Sequence, residues 1–171
     1  MYPALDFSSC LCENDKINLA YEIFKRDFVD TPCFLEPILV SFKTDKKIKQ
    51  GNLKLQETFW HIISRKNGKN RIFDEQRAKR IAWIKLIILD YNKKHIKLFY
   101  CYESNRTIRL YLWLYEYNFV VILEKAQMQE KIAFIITSFY IDNEKKQKSF
   151  EQKYKNYKEK SDAKLKDCEW F

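Results

Sequence analysis

Glycine is nearly absent from this chain of 171 residues, which holds only Gly51 and Gly68. Walker loops and the G-x-G-x-x-G dinucleotide turn both need clustered glycines that let backbone amides close on a phosphate, so both are excluded. Histidine is equally scarce, with only His61 and His95. Zinc sites built on several imidazoles are therefore out, and any imidazole chemistry falls to one of two positions. No apolar run approaches the ~20 residues of a membrane span. From Met1 to Asp15 there is neither the basic start nor the apolar core of a signal peptide. No membrane partner is expected. The cysteines, Cys10, Cys12, Cys33, Cys101 and Cys168, are odd in number and lack framework spacing. That argues against a secreted disulfide scaffold and for reduced thiols in the cytoplasm. Cys10, Cys12 and Cys33 lack the second close pair that would complete a tetrahedral metal set. Neither a metal nor a cofactor is expected.

What is present fits one globular unit. Apolar residues make up 46% of the chain and aromatics 16%, enough for a core at this length. Lys and Arg number 32 against 23 Asp and Glu, a net charge of +9. Within a single compact domain the sequence divides into an N-terminal helix and linker (1–50), an α+β core (51–142) and a Lys-rich C-terminal helix (143–171).

Ile17, Tyr21, Phe24 and Phe28 recur at three- and four-residue steps, predicting an amphipathic helix over 14–28. Thr31-Pro32 and Glu36-Pro37 break helical geometry. A short strand is expected at Ile38–Phe42, a polar loop over Lys43–Lys54, and a strand over Glu57–Ser64 that ends in the basic turn Arg65–Arg71. Asp74 is a good helix cap, and Ala78, Ile81, Ala82, Ile88 and Leu89 carry one helix to about Tyr91. Strands follow at about 95–102, 107–116, 118–125 and 131–141, separated by Asn105, Asn118 and Gln127–Lys131. Such short gaps favour an antiparallel meander. A Lys/Glu-rich helix is expected from about Asp142 to Lys166. Helices segregated from a run of strands give an α+β fold, with a four- to five-stranded antiparallel sheet.

The chemistry concentrates in three places. On the 107–115 strand, Ile108, Leu110, Leu112 and Leu114 share one face, while Thr107, Arg109, Tyr111, Trp113 and Tyr115 share the other. Left open, the second face would stack single-stranded nucleic acid on Trp113, with Arg109 supplying charge; covered, it is a second core layer. Six of the seven arginines, Arg65, Arg71, Arg77, Arg80, Arg106 and Arg109, fall between 65 and 109. Arginine grips phosphate through a rigid two-pronged fork, so this cluster beside His61 and Lys66 points to a phosphate site. His61 lies just before Ser64, Arg65 and Lys66. An imidazole there could transfer protons near neutral pH while arginine stabilises the extra negative charge of a phosphorane. Thr137 and Ser138 put two hydroxyls into an apolar strand, where they could donate to a phosphate oxygen or simply tolerate the strand.

The strings Glu57-Thr58-Phe59-Trp60-His61-Ile62-Ile63, Arg71 to Ile84, Phe119 to Lys125 and Phe134 to Ile141, in that order and spacing, resemble a phage-associated branch of a nuclease superfamily. That superfamily groups barnase, EndoU, the tRNA-cutting colicins and RelE (the BECR fold). The resemblance covers about residues 50–145. It implies a helix followed by an antiparallel sheet, and metal-independent RNA cleavage in which the 2′-hydroxyl attacks the adjacent phosphate. Carried onto this chain, it makes His61 the base or acid. Arg77 or Arg80 would stabilise the phosphorane, Thr137 or Ser138 would bind the phosphate, and Tyr140 would stack on a base. Many members are toxins of bacterial or phage conflict with a neutralising immunity or antitoxin partner.

The leading expectation is thus a cytoplasmic endoribonuclease whose partners are RNA and such a neutralising protein. The alternatives are a non-catalytic nucleic-acid-binding protein, or a phage or host interaction protein, using the basic aromatic sheet face.

Overall fold

The first helix forms because its apolar residues fall on one stripe: in α1 (Glu13–Phe24), Ile17, Ala20 and Phe24 are buried. Asp15 reaches back to the backbone N–H groups of Leu11 and Cys12, at 2.9 and 3.0 Å, and satisfies two donors that a helix start leaves free. A π-helical turn, Lys25–Val29, extends it as the 14–28 pattern predicts and buries Phe28. The computed structural model describes residues 2–44, 47–50, 53–104, 106–126 and 131–170. The expected separators at Asn105 and at 127–130 lie outside the described residues.

A hairpin of β1 (Cys33–Leu35) and β2 (Ile38–Ser41) follows, with Cys33 opposite Val40. The segment expected as a polar loop contains a second hairpin, β3 (Lys47–Gln50) with β4 (Leu53–Gln56). Ile48 sits opposite Leu55, and both join the core, so two apolar residues among lysines are enough to pin the ribbon.

The expected strand over Glu57–Ser64 is instead a helix, α2 (Glu57–Ile63). Phe59, Ile62 and Ile63 are fully buried at helical steps, and Phe59 packs against Tyr21 and Phe24 of α1 with ring centroids 5.0 and 5.4 Å away. A short apolar run reads alike as strand or helix, and packing against α1 decides it here. A third hairpin, β5 (Ser64–Asn67) with β6 (Asn70–Phe73), turns at Gly68, whose φ of 62° suits a residue without a Cβ.

The single helix expected from Asp74 to Tyr91 is broken into α3 (Glu75–Ala78) and α4 (Ile81–Leu89). The N-terminal segment crosses at the break: the Leu5 N–H donates to the Lys79 carbonyl at 2.7 Å, and Trp83 Nε1 donates to the Pro3 carbonyl at 2.8 Å.

The meander β7 (Ile96–Tyr102), β8 (Ile108–Leu114), β9 (Phe119–Lys125) and β10 (Ile132–Tyr140) is antiparallel as expected. The sheet is nonetheless larger and mixed. Among the described residues six strands run in the order β1-β2-β10-β9-β8-β7, because β2 lies parallel to the start of β10, with Leu39 beside Ile132. The α+β class holds, and the purely antiparallel sheet of four or five strands does not.

The sheet separates two apolar layers. The larger one gathers residues of α1–α4 with Leu110, Leu112, Leu114, Val121 and Leu123. The smaller one holds Phe99, Tyr111, Trp113, Val120 and Ile122 under α5 (Glu144–Lys158). Helix α5 stops short of the expected Lys166, and the chain continues through a 3₁₀ turn, Ala163–Leu165. Its end lies along β7, where the Trp170 N–H donates to the Tyr100 hydroxyl at 2.9 Å. Among the described residues, no helix is long and apolar enough to cross a membrane.

Candidate nucleic-acid interface

A polar cleft of about 280 Å³ opens where the β5–β6 hairpin, α3, the end of β10 and the start of α5 meet. Arg65, Lys66, Asp74, Arg77, Tyr140, Asp142 and Lys146 line it. Four of the expected site residues, Arg65, Lys66, Arg77 and Tyr140, thus converge from three separate elements. Four cations face two carboxylates, so the lining carries a positive excess suited to an anion.

Local structure explains how each side chain arrives. Asp74 caps α3 by accepting from the Arg77 N–H at 3.1 Å. One turn later Arg77 Nη1 donates to the Ser64 carbonyl at 2.8 Å, which fastens α3 to β5. Arg71 reaches the same carbonyl from β6 through Nη2 at 2.8 Å, and its Nε donates to the Ser64 hydroxyl at 2.8 Å. Ser64 is fully buried, and its hydroxyl in turn donates to the Trp60 carbonyl in the middle of α2. The exposed Arg65 and Lys66 follow directly and are held at the mouth of the cleft. In the sequence Arg71 reads as one of a run of arginines and Asp74 as a cap; their support of Arg77 comes from folded contacts that no local pattern reports.

Arg77 is the most constrained of these cations. Burial lowers its pKa, and Asp74 opposes that shift, yet a guanidinium stays protonated under either influence. Its Nε lies 3.6 Å from Asp74 Oδ2 and makes no hydrogen bond among the described residues. That nitrogen is buried beside Asp74. Asp142 is paired to Lys146 at 2.8 Å, and that hydrogen bond holds its carboxyl below the usual range.

A β-bulge in β10 decides which side chains face the helices. The register shifts between Ile135 and Thr137, so Ser138 sits opposite Val121 and Tyr140 opposite Phe119, both residues of the larger layer. Thr137 falls opposite Ile122 and is turned to the α5 side. Ser138 is 1% exposed, and its Oγ has no hydrogen-bond partner among the described residues. Neither hydroxyl lines the cleft, so the expected pair of phosphate donors is divided between the two sheet faces and Ser138 is sealed from solvent.

His61 sits in the last turn of α2, partly exposed and one turn from Glu57 on the less buried face. Helix α2 packs on β10. His61 is tied to the arginine cluster through its carbonyl, which accepts from Arg71 Nη2 at 3.2 Å, but it is not part of the cleft lining. Arg80 lies beside the cleft, its guanidinium 5.6 Å from the Tyr140 ring centroid and bonded to the Gln76 carbonyl at 2.6 Å.

The aromatic sheet face is covered. Trp113 is fully buried beneath α5, where Phe150 approaches its ring at 5.8 Å, so it cannot stack on a base. Phe150 also touches Phe99, Tyr111 and Phe139. Arg109 pairs with Glu124 of β9 at 2.8 Å and remains apart from the cleft. Tyr100 and Tyr111 have pKa values far above the ordinary range, primarily through burial, as suits core residues.

Comparison with protein-family models, curated proteins and solved structures finds no match for this chain.

Proposed function

We propose that the protein is a metal-independent endoribonuclease, a toxin of bacterial or phage conflict, that holds an RNA phosphate in the Arg65–Lys66–Arg77–Tyr140 cleft. One observation carries the reading: side chains from the β5–β6 hairpin, α3 and β10 converge on one polar cleft, and Arg77 is fixed there by its bond to the Ser64 carbonyl. A guanidinium restrained in this way needs no reorganisation to meet the charge that builds on a phosphorane. His61, on the helix next to Ser64, is the proton-transfer candidate for attack by the 2′-hydroxyl. The resemblance of the 57–63, 71–84, 119–125 and 134–141 strings to the BECR nucleases supports the same assignment. A neutralising protein and a cytoplasmic site of action belong to this proposal.

The test is incubation of purified protein with RNA in EDTA. Cleavage leaving 2′,3′-cyclic phosphate ends, lost in His61→Ala and strongly reduced in Arg77→Ala, is expected. RNA left intact, or full activity in His61→Ala, removes the nuclease assignment. A second reading is favoured by the absence of His61 from the cleft lining. In it, the cleft binds RNA without turnover, and the same experiment shows salt-sensitive retention of uncut RNA.

A further inference from the structure

The cleft does not end at Tyr140. The Arg80 guanidinium lies 5.6 Å from the Tyr140 ring centroid and 5.2 Å from that of Trp83. Trp83 meets Tyr117 edge-on at 5.5 Å. The Tyr117 ring is 51% exposed, whereas Trp83 beneath it is 4% exposed. An aromatic platform therefore stands at the surface on a buried support, joined to the cleft by a cation that contacts both Trp83 and Tyr140.

The platform is fixed in place from two directions. The Ile141 N–H donates to the Asn118 carbonyl at 2.7 Å, which ties the Tyr115–Tyr117 turn to the segment that carries Tyr140 and Asp142. From the other side Tyr2 packs on both Tyr117 and Trp83, at 6.0 and 5.9 Å. The Tyr2 hydroxyl gives its single proton to Asp90 at 3.0 Å, so His95 Nε2, also 3.0 Å away, donates to the Tyr2 oxygen. A tyrosine held at its ring edge and at its hydroxyl is a rigid wall, and Tyr117 loses little freedom when something stacks on it.

We propose that Tyr117 and Arg80 form a nucleobase subsite contiguous with the phosphate cleft, which takes the base of a neighbouring nucleotide in single-stranded RNA. The inference rests on the phosphate-binding reading of the cleft. Single strands suit the site because an unpaired base exposes a face for the ring, while the cation beside it meets the phosphate chain. This role is distinct from the covered sheet face, whose rings lie under α5.

The experiment measures binding of the full chain to a 2′-O-methylated hexauridylate, which resists cleavage, and to inorganic phosphate. Tyr117→Ala is expected to weaken the oligonucleotide by about 5- to 150-fold, the range of one stacked base, and to leave phosphate affinity alone. Tyr117→Trp should restore oligonucleotide binding. An oligonucleotide with abasic sites in place of its bases should bind the wild type and Tyr117→Ala alike. Unchanged oligonucleotide affinity in Tyr117→Ala, with affinity lost in Lys66→Ala, overturns the subsite and leaves the cleft standing. A wild-type protein that binds neither oligonucleotide overturns both, and an equal loss of phosphate affinity in Tyr117→Ala overturns the separation of base from phosphate.

Discussion

Arg77 Nη1 donates to the carbonyl oxygen of Ser64 at 2.8 Å. The bond spans from a four-residue helix to the first residue of a hairpin, so it sets where Arg65 and Lys66 stand relative to Arg77. Arg71 converges on the same oxygen, and its own pKa is lowered first by burial and then by the charge of Arg77. Two like charges share one acceptor, and a bound anion would relieve the crowding. Arg77→Lys retains the charge but loses the fork. RNA affinity should fall by about tenfold, the worth of one charge-assisted hydrogen bond, while the circular dichroism spectrum stays that of the wild type. Equal affinity in Arg77→Lys would show that only the charge matters.

Arg65 and Lys66 are exposed at the cleft mouth and act as charges rather than as struts. Each of Arg65→Ala and Lys66→Ala should flatten the dependence of log affinity on log salt by roughly 0.7 for single-stranded RNA, one phosphate's share. The reduction should be independent of base sequence. Arg109→Ala is the control: Arg109 is paired with Glu124 away from the cleft, and its slope should match the wild type. A reduced slope in Arg109→Ala would move the binding surface to the far side of the sheet.

The cleft was partly legible because its residues follow strong local signals. Asp74 before an acidic first turn marks a helix start, so Arg77 is expected on a helix and lies on one. The basic turn expected at Arg65–Arg71 is instead a short hairpin, with Arg65 and Lys66 on β5. Three further features were not legible. Helix α2 was unreadable because Phe59, Trp60, Ile62 and Ile63 give the same apolar run on a helix or on a buried strand. The β10 bulge was invisible because nothing in Ile135-Ile136-Thr137 marks an extra residue, yet it alone decides that Tyr140 faces the cleft and Thr137 does not. The parallel pairing of β2 with β10 joins residues too far apart in sequence for any local pattern to report.

The fate of the aromatic sheet face depends on Phe150. It is the single buried residue that α5 contributes, on a helix otherwise rich in Lys, Glu and Gln. Its ring meets Phe99, Tyr111, Trp113 and Phe139. Phe150→Ala should destabilise the fold by about 3–5 kcal/mol in urea unfolding, and Phe150→Leu by less. Loss of the contact should also expose Trp113 and shift its fluorescence to longer wavelength. Unfolding unchanged by Phe150→Ala would mean that α5 merely rests on the sheet.

Acid sensitivity should be traceable to Glu75. Lys16 and Lys79 donate to its two oxygens at 2.6 and 2.8 Å, and these hydrogen bonds hold the carboxyl at about 2 instead of the ordinary 4.5. A depressed folded-state pKa means that the unfolded chain takes up the proton first as the pH falls. The contribution of Glu75 is therefore present above about 4.5 and is lost progressively down to about 2. Both lysine contacts are solvent-accessible, so salt should weaken the effect. Melting temperatures followed across that window should decline less steeply in Glu75→Gln than in the wild type, and the two curves should converge at the acid end. The acidic start of α3 would then be seen to stabilise the fold through α1, since Lys16 lies on that helix, while Lys79 follows α3 directly. Parallel curves across the window would place the acid response in other carboxylates, with Asp6, Asp15 and Asp142, all held below their ordinary range, the next to substitute.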